Sequence, residues 1–118
     1  MYRFPPRRYP RVAALCTAKG CTTLVVLDPW EVRTAVLGAT APALRRALLR
    51  ERPTVVATAA VPAWLQRLRF PVLTVEKPVE PASLSDFPEL RRFVGTRFEP
   101  SLGRALALAD HALSSPWP

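Results

Sequence analysis

Three short apolar runs, Val12–Thr17, Thr22–Leu27 and Val32–Gly38, are separated only by Ala18-Lys19-Gly20-Cys21 and by Asp28-Pro29-Trp30-Glu31. No other feature of the chain constrains its fold so tightly. A parallel connection needs about a dozen residues or more, so links this short join antiparallel neighbours and the runs read as a three-stranded meander. Lys19-Gly20 suits the first turn because Gly accepts positive φ, and Asp28-Pro29 suits the second because Asp can bond the turn backbone ahead of a fixed proline φ. In the first run Val12, Ala14 and Cys16 alternate with Ala13, Leu15 and Thr17, and both sets are largely apolar. A strand with two apolar faces belongs at the centre of a sheet covered on both sides.

The segment Pro42–Arg50 has helical composition, with Thr40 as the expected N-cap, Pro42 in the first turn and Glu51-Arg52-Pro53 as the stop. Leu44, Ala47, Leu48 and Leu49 form its expected apolar stripe, leaving Arg45, Arg46, Arg50 and Arg52 outward. A fourth apolar run, Thr54–Ala59, must then return by a crossover and pair in parallel. A short helix over Val61–Leu68 leads into a fifth run, Val72–Glu76. After a proline-bearing loop, Asp86-Phe87-Pro88-Glu89 has the pattern of a helix cap ahead of Leu90–Phe93, and a last helix is expected over about Pro100–Leu113. The order β-β-β-α-β-α-β-α predicts an α/β fold, a five-stranded mixed sheet of strand order 3-2-1-4-5 flanked by helices. Strands one and four should be parallel neighbours, with the first and last helices on one face. Residues 11–113 form a single domain in this reading, preceded by an arm over 1–10 and followed by a tail over 114–118.

The resemblance carried by these residues is to the ribonuclease H-like superfamily, and within it to the Holliday junction resolvase-like (RuvC-like) branch. It covers about residues 11–113. Members of that branch carry a first strand ending in Gly-Ile-Asp-Pro-Gly, a later strand ending in a Glu after a stretch like Val-Val-Ala-Ile, and a last helix led by Asp-Ala-x-Asp-Ala-Leu-Ala. The matching stretches here are Ala14-Leu15-Cys16-Thr17-Ala18, Val55-Val56-Ala57-Thr58-Ala59 and Arg104-Ala105-Leu106-Ala107. The resemblance places the family's carboxylates at Cys16, Ala59 and about Ser101 and Arg104, and none of those is an acid. Nucleases of the superfamily hold two divalent cations about 4 Å apart on such carboxylates, and Mg²⁺ requires hard oxygen ligands. The resemblance therefore implies a degenerate site with no catalytic residues and no bound metal or cofactor. Asp28, Glu76, Asp110 and His111 are the acids and the histidine that a rearranged site would have to use. Asp28 and Glu31 read more simply as turn residues, at the end of the second strand away from Cys16. Asp110 and His111 fall about two turns late on the last helix and read as a surface pair at its C-terminal end.

The formal net charge is +8, and fifteen of the seventeen cationic side chains are Arg. A cationic surplus on a small domain points to phosphate backbones or an acidic protein surface. A purely solvating role for the Arg surface is the plainer account. Arg over Lys, with 14 prolines, fits a GC-rich genome or a warm habitat equally. The arm Met1–Pro10 interleaves Arg3, Arg7 and Arg8 with Tyr2, Phe4 and Tyr9 between prolines that deny it a helix. Such an arm can grip nucleic acid by phosphate pairing and base stacking, or pack its rings on its own domain or on a second copy. With Arg11 and the Arg45, Arg46, Arg50 and Arg52 face, it would make one positive stripe. No run approaches the ~20 apolar residues of a membrane span and the first residues have no apolar signal core, so a cytoplasmic protein without a membrane partner is expected. Cys16 and Cys21 bracket the first hairpin without the neighbours of a zinc site, and Cys16 reads as a buried structural thiol.

Three classes of function follow. The first is an inactive RuvC-like domain that binds DNA or RNA without sequence preference. The second is a structural or protein-interaction module, as a homodimer. The third is a nuclease with a rearranged acidic site.

Overall fold

The computed structural model of the chain describes residues 11–18, 21–28, 31–75, 87–94 and 100–114. The meander is β1 (Val12–Ala18), β2 (Cys21–Asp28) and β3 (Glu31–Ala39), followed by α1 (Ala41–Glu51), β4 (Val55–Thr58), α2 (Ala63–Gln66) and β5 (Val72–Thr74). A 3-10 turn (Pro88–Leu90) runs into α3 (Arg91–Val94), and α4 (Pro100–Ser114) closes the order. The five strands form one sheet in the order β3-β2-β1-β4-β5. β1 is antiparallel to β2 and parallel to β4, which is parallel to β5 in turn. The expected order and the β1–β4 pairing are both present.

The helices are divided differently from the expectation. Leu44, Ala47 and Leu48 of α1 and Leu65 of α2 pack with Ala13, Leu15, Leu24, Val26 and Val56 on one face. Leu102, Ala105, Leu106 and Ala109 of α4, with Phe87 and Leu90, pack on Val12, Ala14, Val25, Leu27, Val55 and Ala57 on the other. The first and last helices thus lie on opposite faces, which corrects the expectation that they share one. Handedness supplies the reason. The crossovers β3-α1-β4 and β4-α2-β5 step across the sheet in the same direction, so a right-handed path puts both helices on the same side. The second apolar set of the central strands then faces water unless α4 covers it. The small side chains of Ala14, Ala57, Ala105 and Ala109 are all fully buried at that contact.

Local chemistry shapes the ends of these elements. Thr40 is the N-cap of α1, its carbonyl accepting from Leu44 N–H at 3.0 Å, with no bond from its side chain. Arg52 ends the helix in the left-handed region at φ 49°, donating its N–H to the Leu48 carbonyl at 2.8 Å. In β3 the pairing shifts between Thr22/Ala39 and Leu24/Val36, so that two residues, Leu37 and Gly38, stand opposite Thr23. Gly38 takes φ 60° in this bulge, a conformation glycine adopts without a Cβ clash. Among the described residues no helix is long and apolar enough to cross a membrane.

Candidate functional site

At one end of the sheet, the last residues of β1 and β4 meet the first turn of α4. Cys16 lies opposite Thr23 in the β1–β2 ladder, and its side chain packs against the cluster built by α4. Thr23 Oγ1 and Ser101 Oγ share a hydrogen bond of 2.8 Å, with Thr23 1% and Ser101 6% exposed. Leu15 pairs with Thr58, so Cys16 and Ala59 are the next positions along the two parallel strands. The Thr58 hydroxyl turns away from the other hydroxyls and donates to the Ala60 carbonyl at 3.0 Å. Arg104 is exposed one turn into α4, close enough for its charge to act on Cys16. The four positions singled out from the sequence, Cys16, Ala59, Ser101 and Arg104, therefore stand at one end of the sheet on three elements.

What this group can do chemically follows from its atoms. Cys16 is half-buried rather than buried. Burial pushes its thiol above the ordinary value, and the opposing pull of Arg104 is the smaller effect, so the thiol is held neutral. Two hydroxyls that satisfy each other, a neutral thiol, a methyl and a guanidinium do not form a carboxylate ligand set for Mg²⁺. Thr23 escaped the sequence reading because its role depends on pairing with Ser101 across 78 positions.

Three of the five acids of the described residues, Asp28, Glu31 and Glu51, gather at the other end of the sheet. Arg11 Nε donates to Asp28 Oδ1 at 3.0 Å and its Nη1 to the Glu51 carbonyl at 2.7 Å. Glu51 is 8% exposed and accepts from Arg33 Nε at 3.4 Å and Arg50 Nε at 3.2 Å. Arg33 also lies 3.6 Å from Asp28 Oδ2 and 4.0 Å from Glu31 Oε1. The network fastens the start of β1, the β2–β3 hairpin and the end of α1. Asp28 and Glu31 are partners in it as well as residues flanking a turn.

The outer side of the α1 and α2 layer has the opposite character. Arg45, Arg46, Arg50 and Arg52 are exposed on α1 and its C-cap, and Arg67 and Arg69 follow α2 on the same face of the sheet. From Ala41 to Phe70 the sole acid is Glu51, which is buried against the sheet end. Among the described residues no carboxylate pairs with Arg45, Arg46, Arg52, Arg67 or Arg69, whereas Arg50 and Arg11 are engaged by Glu51 and Asp28. Leu49, expected in the apolar stripe, is 52% exposed instead. It stands one turn from Arg45, Arg46 and Arg52, on their side of the helix. The contribution of Arg67 and Arg69 was missed; the signal was the handedness of two successive crossovers, which sets α2 beside α1.

Arg3, Arg7, Arg8 and Glu76 lie outside the described residues. Asp110 is half-buried and His111 exposed near the C-terminal end of α4, away from Cys16 at its start. Among the described residues no three His, Cys, Asp or Glu side chains come together as ligands for a metal ion. No family model matches the sequence, and neither a curated protein nor a solved structure matches it.

Proposed function

We propose that the chain is a catalytically inactive domain resembling the ribonuclease H-like, RuvC-like proteins, which binds nucleic acid without sequence preference through the outer face of α1 and α2. The observation that carries this reading is the charge of that layer. Six arginines face outward between Ala41 and Phe70, and the single acid is turned inward. Five of these guanidinium groups, all but the Glu51-bound Arg50, have no carboxylate partner among the described residues, and such a face matches a phosphate backbone, where each contact releases counterions and none reads a base. Arg11 is left out of the contact, since Asp28 and Glu51 hold its guanidinium. The arm with Arg3, Arg7 and Arg8 would extend the same surface in a cytoplasmic protein. Support for inactivity comes from the cluster at Cys16, Ala59, Ser101 and Arg104, where the resemblance calls for acids.

The test is fluorescence anisotropy of a labelled duplex with the whole chain at rising salt. Affinity should fall along a straight line in log salt, and the Arg45→Glu/Arg46→Glu variant should lose at least tenfold in affinity while melting normally, since each phosphate contact adds about one unit to the salt slope. Unchanged binding by that variant, or binding indifferent to salt, would remove the reading.

Leu49 favours a second reading, the interaction module. A phosphate backbone gains nothing from a leucine, whereas an apolar side chain ringed by arginines has the layout of a protein interface, apolar at its centre and polar at its rim. A second copy of the chain or an acidic protein would fit such a face. If Leu49→Ala leaves duplex affinity unchanged but abolishes self-association in sedimentation, this module replaces the first reading.

A further inference from the structure

Besides Leu49, one large apolar side chain is exposed among the described residues: Phe93, at 38%. It lies on α3 directly after Arg91 and Arg92, both exposed. The turn that carries α3 is well anchored. Phe87 and Leu90 are buried in the α4-side core, and the backbone N–H of Val32 in β3 donates to Glu89 Oε1 at 3.3 Å. α3 is thus pinned against the edge strand β3 from one face of the sheet, while α1 contacts the same strand from the other. Between them, on β3 itself, the Arg33 side chain is 39% exposed but engaged by Asp28 and Glu51, which leaves Arg91 and Arg92 as the cations next to Phe93.

We infer that Phe93, next after Arg91 and Arg92, is a stacking platform for an unpaired base, so that the nucleic acid bound includes a single-stranded stretch running from the α1 face around the β3 edge. The inference rests on the nucleic-acid reading above and deepens it. An aromatic ring exposed next to cations is the arrangement by which sequence-independent single-strand binders work, because every base has a π face and every nucleotide a phosphate. A duplex is too stiff to follow a sheet edge from one face to the other; a single strand is not. A protein partner of the same region would have to be acidic and would not distinguish an aromatic ring from an aliphatic side chain of similar size.

That last difference decides the experiment. Affinities of the whole chain for labelled oligothymidylate and for a duplex of equal length are measured at one salt concentration, for the wild type, Phe93→Tyr and Phe93→Leu. Phe93→Leu should lose about tenfold in single-strand affinity, with duplex affinity unchanged, and Phe93→Tyr should keep both. Equal losses for the two substrates, or Leu and Tyr variants that behave alike, would overturn the inference. Should Phe93→Leu not fold, Arg91→Ala/Arg92→Ala answers in its place: weaker single-strand binding at constant duplex binding supports the platform, and any other pattern rejects it. A wild type that binds the duplex but not oligothymidylate rejects the platform alone; one that binds neither rejects the nucleic-acid reading with it.

Discussion

The two ends of β1 are built from opposite chemistry. At its start, Arg11 meets Asp28 and Glu51 in a network that also takes in Arg33, Arg50 and Glu31. At its end, Cys16 meets Thr23, Ser101 and Arg104, with no carboxylate of the described residues among them. Under the proposed ribonuclease H-like reading, a metal-dependent nuclease would have its acids at the second end. Here Asp28, Glu31 and Glu51 stand at the first, where each is matched by a guanidinium and the product is a fastened fold. Opposed charges that satisfy one another hold elements together but have little left to offer a substrate. The contrast teaches that a carboxylate's role is set by its neighbours, since Glu51 and a catalytic acid differ in surroundings more than in residue type.

The largest expected effect tests the fastened end. Glu51 accepts from two arginines through its carboxylate and lies close to a third, so Glu51→Ala leaves Arg11, Arg33 and Arg50 to repel one another. Breaking a fully buried pair costs about 3–5 kcal/mol, but these guanidinium side chains are 30% to 66% exposed and water screens them. A loss of about 2 kcal/mol in urea unfolding is therefore expected, falling as salt rises. Asp28→Ala should cost less than Glu51→Ala, because Asp28 is the more exposed acid. The reverse order would mean that the hairpin, not α1, is the element the network holds.

Much of this architecture is legible in the sequence, and the reasons are local. Two four-residue links fix the meander, and the length of Ala39 to Thr54 fixes a parallel return. The sharing of helices between faces was misread because it depends on crossover handedness over two successive units rather than on any one segment. Leu49 was assigned to the apolar stripe because a helix of Leu and Ala presents apolar residues around more than half its circumference. The face that meets the sheet is the one carrying Leu44, Ala47, Leu48 and Glu51. At the candidate site, Cys16, Ala59, Ser101 and Arg104 were singled out through the family resemblance and not by any pattern local to those residues. The Thr23–Ser101 bond and the Glu89 contact to β3 could not be proposed, because both join residues more than fifty positions apart.

An intermediate effect tests the second end of β1. The Thr23 and Ser101 hydroxyls are buried together, so each satisfies the other. Thr23→Val removes one partner and leaves a buried hydroxyl to be desolvated alone, at about 1–2 kcal/mol, whereas removing both leaves no orphan. The double variant Thr23→Val/Ser101→Ala should therefore be more stable than the sum of the single losses predicts, by about 1 kcal/mol in a double-mutant cycle. Strict additivity would show that the two hydroxyls are solvated independently and that this end of the sheet is open to water.

The smallest effect concerns the charge on Cys16. Only the thiolate alkylates, and burial raises the pKa of this thiol against the weaker pull of Arg104. In a Cys21→Ser background, alkylation by iodoacetamide at neutral pH should be slower than for a small free thiol, rising steeply as the medium becomes more alkaline. The sign carries over to stability. A thiol whose pKa is higher folded than unfolded contributes stability that is complete below the unfolded value and is lost as pH climbs through the folded one. Alkaline destabilisation should thus be shallower in Cys16→Ser than in the parent. Arg104→Ala removes the opposing cation and should slow alkylation further. Faster alkylation in that variant would place Arg104 as a cover over the thiol, with its charge of secondary weight, and the end of β1 would then be a shielded pocket instead of a neutral one.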